Sequence, residues 1–330
     1  MAKQARIIGT GSYLPSQVLT NKDFEKMVET TEEWIVSRTG MRERRIAAKT
    51  EFTSDMGAKA AKKAIEAAKI DPSEIDMILV ATSTPDYIFP STGALIQAAL
   101  GIQAPAFDIQ AACTGYLYAL SIAKGFIESG AYKNVLIVAS EKLSSVVDYT
   151  DRRTCVLFGD GAAASVMSAH GAGFSVNNIC LGSDGEAGSL LTLKGGGSRH
   201  PASEETIEKK MHYISMEGQE VFKHAIRRME SAAKECLLKS NLTPEMINWF
   251  VPHQANERII DSIAKRFNVP DNKVFKTVHK YGNTSASGIA IALDELIREK
   301  EIKKGDHLLL VAFGAGFTWG ASILTKVEDE

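Results

Sequence analysis

The chain has 330 residues, 45% hydrophobic and 24% charged, with a formal net charge of -2 and a pI near 6.4. That leaves room for a large core or two fused domains, and the near balance of charge gives no electrostatic reason to expect a nucleic-acid or membrane partner. MAKQARIIGTGSYLP holds no long apolar core or small-residue cleavage signal, and no apolar run is long enough to span a bilayer, so a cytoplasmic protein is expected.

The first apolar strand runs into Gly9-Thr10-Gly11, but a dinucleotide fingerprint fails there: a third glycine is missing, Pro15 interrupts, and no helix opens. A Thr30-x-x-Glu33 capping box then predicts a helix with Trp34 and Arg38 four apart on one face. AAKKAIEAAKIDPSEIDMILVATSTP reads as a helix, a Pro turn and a strand that is apolar throughout, the pattern of burial on both faces. Phe89, before a proline, indicates no more than packing by itself. AFDIQ is a mixed strand, CTGYLYALSIAKGFI a helix, and NVLIVAS a second continuous apolar strand.

GSDGEAGSLLTLKGGGSRHPASEE reads as loop, its Gly195-Gly196-Gly197 serving either a flexible connection or a close approach to a ligand. Beyond it the order of the first half returns, as AAKECLLKSNLTPEMINWFVPHQAN, the mixed strand KVFKTV and the helix SGIAIALDELI. Pro72 corresponds to Pro244, Gly115 to Gly288 and Val138 to Val311, a shift of 172 or 173 residues throughout. The expected units are residues 1–173 and 174–330. Their alternation of strands and helices predicts an α/β fold with mostly parallel sheets. Two pseudo-duplicated βαβ halves stacked about buried helices would form a five-layered α-β-α-β-α sandwich.

Cys113 stands where an apolar run ends and a helix begins. Unpaired N–H groups and the helix dipole favour a thiolate there, which makes it the leading nucleophile. Cys155, Cys180 and Cys236 read as small buried hydrophobes. With no C-x-x-C pair and no histidine at ligand spacing, neither a metal site nor a disulfide scaffold is indicated. A cysteine nucleophile needs a polar partner close in space. His253 follows an apolar strand where the first half has Ala81, and Asn283 precedes the helix equivalent to the one Cys113 opens. All three then fall at C-terminal ends of strands, where open α/β sheets place their sites. His253 could instead satisfy a core hydrogen bond, and Gly282-Asn283 is a good turn pair; His212, His224 and His279 lack the context altogether. Phe313-Gly314-Ala315-Gly316 marks a tight hairpin whose N–H groups could hold a developing oxyanion beside that of Cys113. On these residues alone protease, hydrolase and transferase chemistry remain open.

Together, Cys113 in DIQAACTG, His253 in VPHQAN, Asn283 in YGNTSAS and the ending AFGAGFTWGA resemble β-ketoacyl-[acyl-carrier-protein] synthase III, of the thiolase superfamily. GTGSYLP, TEEWIVSRTGMRERR and DRRTCVLFGDGAAA extend the resemblance over essentially the whole chain. It implies a thiolase-like fold, a homodimer, no cofactor, and condensation of an acyl-CoA primer, acetyl-CoA foremost, with malonyl-acyl carrier protein at the start of type II fatty acid synthesis. In this scheme Cys113 carries the acyl group, His253 and Asn283 hold the malonyl thioester carbonyl, and the N–H groups of Cys113 and Ala315 form the oxyanion hole. The family usually has Gly at the place of Ala315.

The resemblance also puts the adenine of CoA between Trp34 and Arg152, Arg38 near phosphate, and Thr30, Gln219 and Arg258 along the rest of CoA, although Asn is common where Gln219 stands. Phe89 and Phe313 would border the acyl pocket, Phe89 reaching across the dimer. Lys223, Arg258, Lys265 and Arg266 would present a basic face to the acidic carrier protein. A thiolase would need a second reactive cysteine near its end, and none follows Cys236; elongating synthases use a second His where this chain has Asn283. Chalcone-synthase-like enzymes share the Cys, His and Asn and are the nearest rival, with a cysteine hydrolase or a non-catalytic acyl-CoA or carrier-protein binding module as readings of other classes.

Overall fold

The computed structural model describes residues 3–329. Strand β1 (Arg6–Tyr13) leads to a small antiparallel pair, β2 (Gln17–Thr20) and β3 (Glu43–Ile46), joined through α1 (Asn21–Phe24) and α2 (Glu32–Thr39). The cap of α2 is Thr31, which accepts the Trp34 N–H at 3.1 Å, so the cap falls one residue after the expected Thr30 and the Thr30-x-x-Glu33 box is not the one that opens the helix. Of two adjacent threonines, the one in extended geometry directly before the first helical turn takes the role. Next, α3 (Thr53–Ala68) crosses β1 so closely that a Cβ on Gly9 would lie 2.4 Å from the Ala64 carbonyl oxygen. The Gly9-Thr10-Gly11 run therefore serves helix–strand packing.

The first half continues through β4 (Met77–Ala81), α4 (Thr92–Leu100), β5 (Ala106–Ile109), α5 (Gly115–Ser129), β6 (Asn134–Lys142), α6 (Arg152–Cys155) and β7 (Asp160–Ser168). The second half comprises β8 (Gly173–Ser183), β9 (Leu191–Thr192), α7 (Glu204–Glu208), β10 (Ser215–Met216), α8 (Gly218–Lys239), β11 (Ile247–Pro252) and α9 (Glu257–Arg266). It ends with α10 (Val278–Tyr281), α11 (Ala286–Glu299), β12 (His307–Gly314) and β13 (Thr318–Val327). The boundary expected at 173/174 lies at the first residue of β8.

Nine strands join in the order β11-β12-β13-β8-β1-β7-β6-β4-β5. β1 and β8 meet only through Arg6–Ser175 and Ile7–Phe174, so the sheet is two sub-sheets joined at a narrow seam. The expectation of mostly parallel pairing is corrected. Only β4–β5, β4–β6 and β11–β12 are parallel; β1–β7, β1–β8, β6–β7, β8–β13 and β12–β13 run antiparallel. A continuous apolar run reports burial on both faces, not direction, and the tight Ala315-Gly316-Phe317 connection forces a hairpin where a parallel pair needs a crossover.

KVFKTV is not a strand of the ladder either, making a single bridge from Val274 to Phe250. Gln254 draws the chain away from the sheet edge there: its Oε1 accepts the N–H groups of Thr277 at 2.7 Å and Val278 at 3.0 Å. Nor is the Gly/Ser-rich segment all loop, since it holds a 3-10 turn (Gly185–Leu190) and β9, which pairs with β10. Of its three consecutive glycines only Gly195 packs, donating to the Met211 carbonyl at 2.7 Å, while Gly196 and Gly197 are exposed.

Three cores separate the layers. Alternate residues of β4 face opposite ways, Ile78 and Val80 toward α3 and α4, Leu79 and Ala81 toward the central pair α5 and α11. The central core continues through Leu120, Leu293 and Leu310 into the second sub-sheet. On that sheet's far side, Phe250, Val311, Met229 and Ile260 pack β11 and β12 against α8 and α9. The result is a five-layered α-β-α-β-α sandwich with its two equivalent helices, α5 and α11, buried at the centre.

Candidate active site

Cys113 occupies a single 3-10 turn (Ala112–Thr114) between β5 and α5 and is 8% exposed. The residue before it, Ala112, has φ +46°, in the left-handed region that non-glycine residues seldom adopt. From the facing hairpin Gly314 comes so near that a Cβ on it would lie 2.7 Å from the Cys113 nitrogen. The thiol is not the helix-stabilised thiolate that the sequence suggests. Burial pushes it up to about 12, a hydrogen bond with Ser285 opposes that rise, and the Glu141 carboxylate adds to it. Desolvation, which is invisible in the sequence, outweighs the helix terminus.

His253 leaves the end of β11, its N–H donating to the Val311 carbonyl at 2.8 Å. Burial lowers its pKa to about 4, so the imidazole is neutral at pH 7. Neither of its ring nitrogens has a hydrogen-bond partner among the described residues, although both are buried. A buried polar group without a partner is costly, and here it is aimed into a cavity.

Asn283 lies between α10 and α11. Its backbone is clamped by the 157–159 segment, donating to the Leu157 carbonyl at 2.8 Å and accepting from the Gly159 N–H at 3.1 Å. Its Oδ1 accepts the Ser285 N–H at 2.9 Å, which leaves Nδ2 as the side chain's donor. Cys113, His253 and Asn283 line one cavity of ≈ 120 Å³ together with Phe222 and Phe313. On its other side Cys113 lines a second cavity of ≈ 470 Å³ with Thr84, Leu143, Ser285 and Ala315. The thiol thus sits at the junction of two cavities. The Thr318 hydroxyl, 3.1 Å from the carbonyl oxygens of both Ala111 and Ala315, ties the hairpin to the cysteine turn.

The other expected residues are placed less uniformly. Trp34 and Arg152 do come together, with the guanidinium 5.0 Å from the indole ring centre and Nη1 donating to the Glu29 carbonyl at 2.7 Å. They are in contact with each other, and a base between them needs an opening of about 7 Å, two ring-contact distances. Thr30 Oγ1 is buried without a partner, while Arg38, Gln219 and Arg258 are exposed. Asn256 Nδ2 donates to the Arg38 carbonyl at 3.1 Å, joining α9 to the end of α2. Phe89, 85% exposed, borders neither cavity of its own chain. Of the four basic residues on α8 and α9, Lys223 pairs with Glu220 at 2.8 Å and Arg266 with Glu230, so acidic neighbours balance half of that face.

Several site residues escape a reading of the sequence. Ser285, with φ +51°, lines the larger cavity with the thiol; Gln254 pins the chain between His253 and Asn283; Asn256 lines the smaller cavity. Glu141 carried a signal, a lone acid closing the continuous apolar run NVLIVASEK.

Comparison with known proteins gives the family. The profile described as 3-oxoacyl-[acyl-carrier-protein (ACP)] synthase III matches residues 107–185, and that of its C-terminal part matches residues 237–326. The β-ketoacyl-[acyl-carrier-protein] synthase III of Chlamydia pneumoniae is 60% identical over 327 residues, 98% of each chain. Among solved structures, 3-oxoacyl-[acyl-carrier-protein] synthase III of Aquifex aeolicus VF5 is 47% identical, with a TM-score of 0.88 over 97% of this chain and 99% of its own. The β-ketoacyl-[acyl carrier protein] synthase III of Thermus thermophilus is 43% identical, with a TM-score of 0.91 over 98% and 99%. A cysteine between two cavities, a neutral histidine and an oriented asparagine, on a scaffold shared over nearly its full length, mark this chain as a member of the β-ketoacyl-[acyl-carrier-protein] synthase III family.

Proposed function

We propose that the protein takes the acyl group of an acyl-CoA primer, acetyl-CoA foremost, onto Cys113 and condenses it with malonyl-acyl carrier protein. The products are carbon dioxide and 3-oxoacyl-acyl carrier protein, in the initiating condensation of type II fatty acid synthesis. The observation that carries this reading is the position of Cys113 between two cavities, one of which presents the unpartnered nitrogens of a neutral His253 and the amide of Asn283. In a cysteine hydrolase of the Cys-His-Asn kind the asparagine oxygen holds the histidine ring, whereas here Asn283 Oδ1 is taken by the Ser285 N–H and neither His253 nitrogen has a partner among the described residues.

In the first half-reaction Cys113 Sγ attacks the primer carbonyl, and the thiol's proton ends on the departing CoA sulfur, so that CoA leaves as the free thiol. Oxygens that gain charge accept from the N–H groups of Cys113 and Ala315. In the second, the malonyl thioester oxygen accepts from a neutral His253 ring N–H and from Asn283 Nδ2, which stabilises the enolate formed as carbon dioxide departs. Its carbon attacks the acyl-Cys carbonyl and the cysteine leaves as thiolate. A neutral imidazole suits a donor that must not give up its proton to the enolate.

The family resemblance carries the remaining parts: a homodimer in the cytoplasm with no cofactor, Phe313 and the partner copy's Phe89 closing the acyl pocket, and CoA along Thr30, Trp34, Arg38, Arg152, Gln219 and Arg258. The exposed Tyr87-Ile88-Phe89 run near the edge strand β5 supports a second copy there. Lys223, Arg258, Lys265 and Arg266 remain the proposed face for the carrier protein. The division at 173/174 marks the duplication, since β5-β4-β6-β7-β1 of one half is matched by β11-β12-β13-β8 of the other, with Val274 at the place of β5. Incubation with acetyl-CoA tests the reading: the Cys113 peptide gains one acetyl mass, which malonyl-carrier protein then removes. A peptide that stays unmodified contradicts it.

A further inference from the structure

His253 lines the smaller cavity, whereas Thr284 and Gly288, which pack against its ring from the start of α11, line neither cavity. A Cβ on Gly288 would lie 3.3 Å from Thr284 Oγ1 and 3.6 Å from His253 Nδ1, so these two polar atoms border the notch that the glycine leaves in the helix. The third neighbour, Gln254, turns only its Cβ there, at 3.7 Å, and its amide is engaged by the backbone of Pro252, Phe275, Thr277 and Val278. Thr284 is 1% exposed and His253 3%, and neither Thr284 Oγ1 nor His253 Nδ1 has a hydrogen-bond partner among the described residues. Two buried polar atoms without partners are costly, and one water bonded to both of them relieves the cost.

The first half of the chain carries the same place without these groups. At the shift of 172 or 173 residues, Ala81 stands for His253, Ala111 for Thr284 and Gly115 for Gly288. The backbones correspond closely, since Ala112 at φ +46° matches Ser285 at φ +51°. There a Cβ on Gly115 would meet Ala81 Cβ at 2.9 Å and Ala286 Cβ at 3.3 Å, an apolar contact that closes the notch. The hydroxyl and the imidazole therefore occur together in one half and are both missing from the other.

We propose that one buried water, held between the Thr284 hydroxyl and His253 Nδ1 in the notch beside Gly288, makes Nδ1 an acceptor and so keeps the ring proton on Nε2. A neutral imidazole has one donor and one acceptor nitrogen, and the bond made by one decides the role of the other. The two nitrogens lie on different edges of the ring, so with Nδ1 turned to α11 the Nε2–H is the group left for the cavity. The inference rests on the proposed condensation and deepens it: Thr284 is a positioning residue that gives His253 the tautomer able to donate to the malonyl thioester oxygen.

Nitrogen NMR of the full chain labelled with 15N-histidine tests this without any substrate, the His253 signals being assigned by their loss in His253→Gln. The parent ring is expected to be protonated on Nε2, with Nδ1 shifted upfield as an accepting nitrogen. In Thr284→Val and in Gly288→Ala, whose Cβ takes the place of the water, the Nδ1 signal moves toward that of a free imidazole nitrogen and a form protonated on Nδ1 appears beside the other. Thr284→Ser restores the parent spectrum. Condensation falls about tenfold in Thr284→Val and Gly288→Ala, the worth of about one hydrogen bond, while acetyl transfer to Cys113 stays within about twofold. A role in packing alone lowers stability and leaves the tautomer where it is. A parent ring protonated on Nδ1, or a His253 spectrum unmoved in Thr284→Val, overturns the proposal; if Thr284→Val fails to fold, Gly288→Ala decides on the same criterion. Because the spectrum needs no substrate, its failure leaves the condensation reading standing, and a failure of condensation leaves the tautomer result interpretable.

Discussion

Asn283 Oδ1 accepts the Ser285 backbone N–H at 2.9 Å, and this bond decides which end of the amide faces the cavity. An Asn283→Asp variant keeps the shape and the accepted bond but replaces the Nδ2 donor with an anionic oxygen where the enolate must form. Its condensation rate should fall about a hundredfold or more, as when an oxyanion donor is removed. Acetyl transfer to Cys113 should stay within a few-fold of the parent. Separate measurement of the two half-reactions checks this.

Gly314 is needed for contact as much as for the turn. A Cβ there would meet the Cys113 nitrogen at 2.7 Å and the Cys113 Cβ at 3.2 Å, and neither belongs to a flexible side-chain end. Gly314→Ala should therefore displace the cysteine turn and lower acetyl transfer about a hundredfold, consistent with losing one oxyanion donor. Mass labelling of the Cys113 peptide measures it.

Gln254 makes four buried bonds, to the carbonyls of Pro252 at 2.7 Å and Phe275 at 3.2 Å and from the N–H groups of Thr277 and Val278. Gln254→Ala strands those backbone groups and should cost about 3 kcal/mol of stability. Chemical denaturation gives the figure. Condensation should fall as well, because this residue joins the strand end bearing His253 to the segment leading to Asn283.

His253 contributes to acid sensitivity. Its pKa is lowered from 6.5 to about 4 by burial, so between those values the unfolded chain binds more protons than the native one, and stability rises with pH across that window. Acidification through it should remove up to about 3 kcal/mol. In His253→Gln, urea midpoints measured from about pH 4 to 7 should show a correspondingly flatter slope.

The repeat between halves made the five layers legible in the sequence, because buried strands and central helices announce themselves by apolar runs at equivalent positions. Strand direction was not legible, since the composition of NVLIVAS is the same whichever way its neighbour runs. Cys113, His253 and Asn283 were legible as strand-end residues of matched units. The state of the thiol was not, because helix position is visible in a sequence whereas desolvation depends on what closes over it, here Gly314 and the hairpin. Thr31 displaced Thr30 as a cap for a local geometric reason, and Ser285 escaped notice because its role rests on a φ that no residue identity encodes.

The central claim is that one thiol couples two half-reactions. Acetyl-CoA and malonyl-carrier protein supplied together should yield free CoA, carbon dioxide and 3-oxobutyryl-carrier protein in equal amounts, and Cys113→Ala should abolish the oxo product. Release of acetate without the oxo product, or oxo product undiminished in Cys113→Ala, would contradict the account.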